Sequence, residues 1–146
     1  MIILRPYTNN DFQLMNQYFP SAEIGKYTNM GKYKLLSLLG IYKSYFMILL
    51  DDEQVIGCGV IRHKWSREIR CKSWWFYAIW INPIHRGNGY GKILMQELLS
   101  EVRKRGIKRI GLTVNENNII AQKKNKKIGF VEIGKSKQQI IMQYDL

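Results

Sequence analysis

Cysteine is scarce in this sequence, and long apolar runs are missing; each shortage excludes a class of protein. Two cysteines, Cys58 and Cys71, are too few for a disulfide framework and have no metal-ligand neighbours, so we expect no metal site. The longest stretch without a charge runs from Ser73 to Ile84, whereas a membrane span needs about 20 apolar residues. Arg5 and Pro6 interrupt the apolar start, so we expect no signal peptide. We therefore expect a protein of the reducing cytoplasm with no membrane partner.

Acidic residues are also scarce, and this gives the chain its charge. There are 11 Asp+Glu against 23 Lys+Arg, a formal net charge of +12, and the excess is concentrated in residues 101–146. Such a surface can bind nucleic acid, an acidic protein or a phosphorylated small molecule, or it can be a solvated helix face. The basic residues of 103–137 are mostly lysines without interleaved aromatic residues, which disfavours nucleic acid as the partner.

Composition and patterning predict a single α/β (α+β) domain over residues 1–146. Hydrophobic residues make up 46% of the chain, enough to build a core in one domain of this length. Period-two and 3.6-residue patterns predict the order β-α-α-β-β-β-α-β-α-β-β, a central mixed, mostly antiparallel sheet with helices on both faces. Among the connections, we expect a basic loop over residues 64–70 and a final turn over residues 134–137.

A glycine-rich turn between a strand and the third predicted helix is the most informative motif. Gly87, Gly89 and Gly91 would gather backbone N–H groups at the positive end of the helix, where a phosphate can approach without meeting a Cβ. Arg86 and Lys92 flank the turn, so the sequence predicts a phosphate or pyrophosphate cradle. The Walker pattern fails because Ile follows Lys92, and G-x-G-x-G is not the dinucleotide fingerprint.

The R-x-x-G-x-G pattern of Arg86, Gly89 and Gly91 resembles the acyl-CoA pyrophosphate loop of the GNAT N-acetyltransferase superfamily. Further segments are similar to that family: Ile79-x-Ile81-x-Pro83, Leu112-x-Val114, Asn118-x-x-Ala121 with Gly129-Phe130, and the opening Ile3 to Thr8 with Asp11-Phe12. The resemblance spans essentially the whole chain. It implies a GNAT-like fold and an acetyl-CoA-dependent N-acetyltransferase acting on a primary amine.

The same resemblance implies where acetyl-CoA, the co-substrate, would lie. The fourth and fifth strands would splay apart, and the backbone at Ile79, Trp80 and Ile81 would pair with the pantetheine arm while Asn118 lies on its other side. The implied pyrophosphate-binding residues form one continuous loop: Arg86, Gly87, Asn88, Gly89, Tyr90, Gly91 and Lys92.

Direct transfer is the implied reaction, with a neutral amine attacking the thioester and a backbone N–H near Ile81 stabilising the oxyanion. Many family members carry a tyrosine four residues after the motif alanine, which protonates the departing thiolate. This chain has Asn125 there, and asparagine cannot act as an acid. Tyr77 and Tyr90 are possible substitutes, or they are packed side chains.

No general base is evident on the fourth strand, which lacks Asp, Glu and His. Glu116, after the fifth strand, is the first candidate, and Glu68 and His63 near the basic loop follow it. His85 is interpreted as a turn residue. A chain of water molecules is the alternative to a protein base.

The remaining aromatic residues are assigned to the core or the acceptor pocket. Strict alternation along the fourth strand would place Trp75, Tyr77, Ile79 and Ile81 on one face and Trp74, Phe76, Ala78 and Trp80 on the other. We expect the three tryptophans to be core residues. The residues that we expect to line the acceptor pocket are Tyr27, Tyr33 and Tyr77.

Two other functions are compatible with the sequence. A non-catalytic acyl-CoA-binding domain would bind the ligand without turnover, and a nucleic-acid-binding module would bind with a steep salt dependence. The amine acceptor is a small molecule or a protein, and few acids are available to hold a polycation. The edge strand of the terminal hairpin could also pair two copies in a homodimer.

Overall fold

Seven strands and two helices make up the regular structure that a computed structural model describes for residues 1–8, 10, 11, 43–67 and 69–146. The strands are β1 (Ile2–Pro6), β2 (Lys43–Asp51), β3 (Gln54–Ser66), β4 (Cys71–Ile81), β5 (Arg109–Asn115), β6 (Val131–Ser136) and β7 (Gln139–Asp145). The helices are α1 (Tyr90–Lys104) and α2 (Ile119–Ile128), and a 3-10 turn covers Pro83–His85. The two helices predicted before residue 43 lie outside the described residues, as do Tyr27, Tyr33 and Glu68.

The seven strands form one mixed sheet in the order β1-β2-β3-β4-β5-β7-β6. Neighbouring strands are antiparallel except β4 and β5, which are parallel and joined through α1. The predicted fold class is thereby confirmed, and the described elements follow the predicted order. The single parallel pair matters for function, because the carboxyl ends of β4 and β5 meet at one edge of the sheet, with α1 and α2 beginning nearby.

Two loop predictions are wrong, because the strands of both hairpins continue beyond the residues that were predicted to end them. The first three residues of the predicted basic loop at 64–70 are strand: Lys64, Trp65 and Ser66 pair with Ser73, Lys72 and Cys71. Likewise β6 continues through Gly134 to Ser136, so that the last turn lies at residues 137–138. Both extensions lie at the ends of hairpins, where a strand needs a paired backbone but no continuous apolar face.

The helix α1 closes one face of the sheet and forms the larger core. Leu94, Leu98 and Val102 recur at helical spacing and are fully buried, together with strand residues such as Ile61 and Met142. On the opposite face, Ile48, Leu50, Val55, Cys58 and Trp80 form a smaller cluster. Cys58 is a core residue as expected, whereas Cys71 is exposed because it lies on the far end of the hairpin.

An ion pair anchors the first strand. Arg5 donates two hydrogen bonds to Asp11, at 2.8 and 2.7 Å, and Asp11 also accepts one from the Thr8 backbone N–H at 2.7 Å. Chiefly because of the Arg5 guanidinium, the pKa of Asp11 is lowered from 3.8 to about 2. Asp11 is 3% exposed, so its carboxylate depends on these partners.

Replacing this carboxylate tests the pair. Because the pKa is lower in the folded state, the stabilisation is complete above the unfolded pKa and is lost as pH falls towards 2. We expect Asp11→Asn to reduce the free energy of unfolding by about 2 kcal/mol at pH 7 and to make no difference near pH 2, as measured by urea titration across that range. Asp145→Asn, which breaks the exposed pair with Arg109, is the control and should change little. Equal stability of Asp11→Asn and wild type at pH 7 would contradict the prediction.

Among the helices that the structure describes, none is long and apolar enough to cross a membrane.

Candidate active site

The site is built where β4 and β5 diverge. Within the described residues, these parallel strands pair at Trp75 and Gly111 only, although β4 continues to Ile81 and β5 to Asn115. A Cβ at Gly111 would lie 2.8 Å from the Trp75 ring, so glycine is what allows the indole to pack between the strands. Beyond this point the strands leave an opening in the sheet, as the resemblance implied.

The backbone of Ile81 faces this opening. Asn82 donates its N–H to the Ile56 carbonyl of β3 at 2.8 Å, and successive peptide groups of a strand point to opposite sides. The N–H and C=O of Ile81 therefore point away from β3, towards β5. The Ile81 carbonyl accepts a hydrogen bond from Nε of Arg86 at 3.0 Å. No described residue accepts a hydrogen bond from the Ile81 N–H, which can therefore act as a donor in the opening.

A β-bulge sets the faces of β4, and it overturns the predicted alternation. Cys58 pairs with Trp80 and Val60 with Tyr77, so β4 has one more residue than β3 over this interval. As a result Ile79 and Ile81 pack on the larger core together with Phe76, which strict alternation placed on the other face. Trp80 is turned into the smaller cluster, only 3% exposed, and lies under the Arg86 guanidinium at 5.9 Å.

Buried Asn82 fixes the exit from β4. Its Nδ2 donates to the Val55 carbonyl at 3.1 Å, and its Oδ1 accepts the N–H of Ile84 at 3.4 Å, which starts the 3-10 turn. These bonds join the end of β4 to the start of β3. The sequence did not single out Asn82; an asparagine before proline is the signal for a turn, but its burial depends on β3.

The glycine turn presents a series of unpaired donors. No acceptor among the described residues receives a hydrogen bond from a backbone N–H of residues 87–92, and Gly87 and Gly89 both have a φ of +81°. Gly89 is the N-cap of α1, so these N–H groups lie at the positive end of its dipole. Asn88 donates to the His85 carbonyl at 3.4 Å, and Arg86 and Lys92 are exposed beside the turn. The arrangement fits an anion with several acceptor oxygens.

Gly91 differs from the other two glycines, since its backbone is already helical and a Cβ there would meet no atom within 4 Å. We expect Gly91→Ala to raise the free energy of unfolding by about 0.5 kcal/mol, because alanine loses less entropy in a helix. Urea denaturation of this variant beside wild type measures the difference. A loss of stability would mean that the first turn of α1 is strained in a way that this geometry does not indicate.

The turn from β5 into α2 closes the other side of the opening. Asn118 caps α2 by accepting the N–H of Ala121 at 3.2 Å, and its exposed side chain keeps its NH₂ group for a ligand. Gln122, only 8% exposed, donates to the carbonyls of Asn115 and Glu116 at 3.1 and 2.9 Å and so holds the turn. Sequence reasoning missed Gln122, since a glutamine on a lysine-rich helix gives no sign of burial.

The candidate acid and base residues have partners of their own. Asn125 is half-buried, and its Nδ2 lies 4.0 Å from the sulfur of Met142 on β7. Glu116 forms an ion pair with Lys135 of β6, two strands beyond β5 on the side away from β4. Neither contact tests the catalytic roles considered for these residues, and both roles stay predictions.

The two tyrosines considered as proton donors lie at different places. The hydroxyl of Tyr90 donates a hydrogen bond to Asp51 at 3.2 Å, and this bond is the main reason that the pKa of the phenol is raised. The ring of Tyr90 packs edge-on against His85. Tyr77 is exposed at the β4 bulge, with the Arg62 guanidinium 5.4 Å above its ring. Tyr77 thus lies beside the opening. Tyr90 lies in the glycine turn, and its hydroxyl reaches Asp51 at the end of β2.

His63 is distant from the opening. It pairs with Trp74, seven residues before Ile81 on β4, which at about 3.3 Å per residue is roughly 23 Å away. Burial, followed by the charges of Lys72 and Lys43, lowers the pKa of His63. His85 occupies the 3-10 turn as expected, and its Nε2 is buried without a hydrogen bond among the described atoms.

Comparison with known proteins agrees with this geometry. The profile of the Acetyltransferase (GNAT) family matches residues 12–130. The [ribosomal protein bS18]-alanine N-acetyltransferase of Haemophilus influenzae is 28% identical over 85 residues, 58% of this chain and 53% of that protein. The chain thus spans about half the length of the curated relatives it matches.

Solved structures extend the likeness to the whole chain. The PaiA N-acetyltransferase of Thermoplasma acidophilum, in complex with coenzyme A, superimposes with a TM-score of 0.71 at 18% identity over 100% of this chain and 99% of its own. The ribosomal-protein-alanine N-acetyltransferase of Brucella melitensis gives 0.73 at 17% identity over 99% of each chain. The chain belongs to the GNAT acetyltransferase family.

Proposed function

We propose that this chain transfers an acetyl group from acetyl-CoA to a primary amine. The observation that carries the proposal is the divergence of β4 and β5 beside a helix start whose N–H groups are unpaired. An opening between strands suits an extended pantetheine arm, and the adjoining turn suits a pyrophosphate. Membership of the family supports the same chemistry.

The residues present fit acetyl-CoA. A pyrophosphate offers several acceptor oxygens and two or more negative charges, and the N–H groups of residues 87–92 with Arg86 and Lys92 match both needs. The space that a Cβ at Gly89 would occupy is empty, since no atom lies within 4 Å of that position. The backbone of Ile79 and Ile81 would pair with the pantetheine amides, and Asn118 would contact the arm from α2. We propose no metal for this reaction.

The thioester supplies an activated carbonyl carbon, and the chain's own groups do the rest. The free N–H of Ile81 would donate to the carbonyl oxygen as it gains charge during attack by the amine nitrogen. The new C–N bond forms as the C–S bond breaks, and the amine proton passes to Glu116 or to water. The thiolate then takes a proton from solvent or from a tyrosine such as Tyr77, because Asn125 has none to give.

The proposal also concerns which amine accepts the acetyl group. The curated relatives are named for acetylating an alanine of a ribosomal protein, which makes an α-amine of a protein the first acceptor to test. Small-molecule amines follow. The acceptor would enter beside the β4 bulge, where Tyr77 is exposed and the Arg62 guanidinium covers its ring.

The domain organisation, the cellular location and the oligomeric state are also part of the proposal. We infer that residues 1–146 act as one domain in a reducing cytoplasm, where Cys58 and Cys71 stay free thiols. A homodimer could form through β6, an edge strand on which Val131 is 63% exposed and Ile133 is 44% exposed.

Calorimetric titration with acetyl-CoA, followed by an assay of CoA release, tests the proposal. We expect micromolar binding, and release of CoA when an alanine-terminated peptide or one of a panel of small amines is added. Binding without release from any acceptor would favour the non-catalytic acyl-CoA-binding domain, to which the loss of the tyrosine at Asn125 points. Absence of binding would reject both functions.

A further inference from the structure

The far end of the β3–β4 hairpin carries an exposed aromatic surface that the acetyl-transfer site does not use. β2 begins at Lys43, opposite His63, whereas β3 continues to Ser66 and pairs there with the start of β4. Within residues 43–67 and 69–146, the last residues of the hairpin therefore have no β2 neighbour. This end lies about 23 Å from Ile81, at the opposite edge of the sheet.

One face of this end brings rings and cations together. His63 and Trp74 are directly opposite each other with ring centroids 4.8 Å apart, and Trp65 and Lys72 are the next opposed pair on the same face. Lys43 opposes His63 from β2. These five residues, Lys43, His63, Trp65, Lys72 and Trp74, are called the hairpin platform below.

The rings of the platform are available to a partner. Trp65 is 58% exposed, in contrast to the buried Trp75 and Trp80. The covering helix α1 ends at Lys104, and the next residue, Arg105, stacks its guanidinium 3.5 Å from the ring of Tyr45, which in turn stacks on Trp74. Among the described residues, α1 and Arg105 thus cover this face only as far as Tyr45; beyond it Trp65 is exposed, and His63 and Trp74 are half-buried.

The charge of the hairpin is strongly positive. Residues 62–74 contain five Lys+Arg and one acid, and Lys43, Arg67, Arg70 and Lys72 are exposed. Burial, and after it the charges of Lys72 and Lys43, lowers the pKa of His63, whose ring lies between these two cations. Alternating cations and stackable rings are what single-stranded nucleic acid requires, namely contacts for phosphates and faces for bases.

We propose that the hairpin platform binds single-stranded RNA or DNA, with a base stacked on Trp65 and phosphates paired with Lys43 and Lys72. An acidic peptide would use the lysines but would gain little from an exposed indole, so the rings favour nucleic acid. The cations of residues 103–137 lack aromatic neighbours, and for this reason the sequence disfavoured nucleic acid. The platform arises only when β3 and β4 pair.

Fluorescence anisotropy with a labelled oligouridine of about 12 nucleotides tests the proposal. We expect binding by the full chain at low salt and a loss of affinity of about tenfold or more in Trp65→Ala, while Trp65→Phe keeps most of it. The double variant Lys43→Ala/Lys72→Ala should weaken binding and reduce the slope of log affinity against log salt by about 1.4, two phosphates at about 0.7 each. Saturating acetyl-CoA should not displace the oligonucleotide.

The matched control is Lys124→Ala/Lys127→Ala, which removes two exposed lysines from α2 and should bind as wild type. Thermal unfolding of each variant shows that the fold is kept. The proposal is overturned by any of four results: no binding at about 100 µM protein, wild-type affinity in Trp65→Ala, greater loss in the α2 control, or equal competition by polyglutamate.

Discussion

Gly89→Arg should abolish acetyl-CoA binding by this chain. Gly89 has a φ of +81° and no atom within 4 Å of the position of a Cβ, so the open space in front of it is the space that a pyrophosphate would fill. A side chain there would occupy the cradle and tilt the N–H groups that start α1. Losing two charge-assisted hydrogen bonds of about 1.5–3 kcal/mol each corresponds to about a 100-fold loss of affinity or more, measured by titration calorimetry.

Gly106→Arg separates this loss from simple backbone strain. Gly106 follows the other end of α1, has a φ of +73°, and likewise has nothing within 4 Å of a Cβ. Both variants therefore carry the same left-handed strain of about 1–2 kcal/mol and the same added charge. We expect similar stability for the two variants and wild-type acetyl-CoA affinity for Gly106→Arg only. Wild-type affinity in Gly89→Arg would show that the glycine turn is not the cradle.

Local patterns were sufficient to predict the turn and the order of the described elements. The glycines, the 3.6-residue stripe of Leu94, Leu98 and Val102, and the apolar run of β7 each depend on neighbours in sequence. The parallel pair of β4 and β5 also follows, since a strand, a helix and a strand in succession place two strands side by side. These are the features that set the position of the candidate site.

The details that tune the site depend on partners far along the chain. The bulge reverses the faces of Trp80 and Ile81, and it can be recognised only when β3 and β4 are paired, because β4 then has one residue more than β3. Gln122 is buried because two carbonyls of the β5–α2 turn need donors. A polar side chain of this kind looks like any other surface residue in the sequence. Hairpin ends were mispredicted for a related reason, because backbone pairing continued where apolar side chains had stopped.

Gly57→Ala should damage both stability and acetyl-CoA binding, because β3 approaches the end of β4 very closely. A Cβ at Gly57 would overlap the backbone carbonyl oxygen of Trp80 and lie 3.0 Å from the side chain of Ile81. Neither the carbonyl nor its strand can move without shifting the Ile81 N–H that faces the opening. We expect a stability loss of about 1–3 kcal/mol and an affinity loss of about tenfold, with turnover reduced about 100-fold once an acceptor is known.

Gly59→Ala is the matched comparison, two residues further along β3. There a Cβ would lie 2.7 Å from the Cδ1 of Leu98, the end of a flexible side chain in the core beneath α1. This leucine can change its rotamer at a cost of about 1 kcal/mol, and β4 does not have to move. Urea denaturation should therefore show both variants destabilised, while calorimetry shows weakened acetyl-CoA binding in Gly57→Ala alone. If both variants bound acetyl-CoA equally well, the backbone at the end of β4 would not be part of the site, and the divergence of β4 and β5 would lose its assigned role.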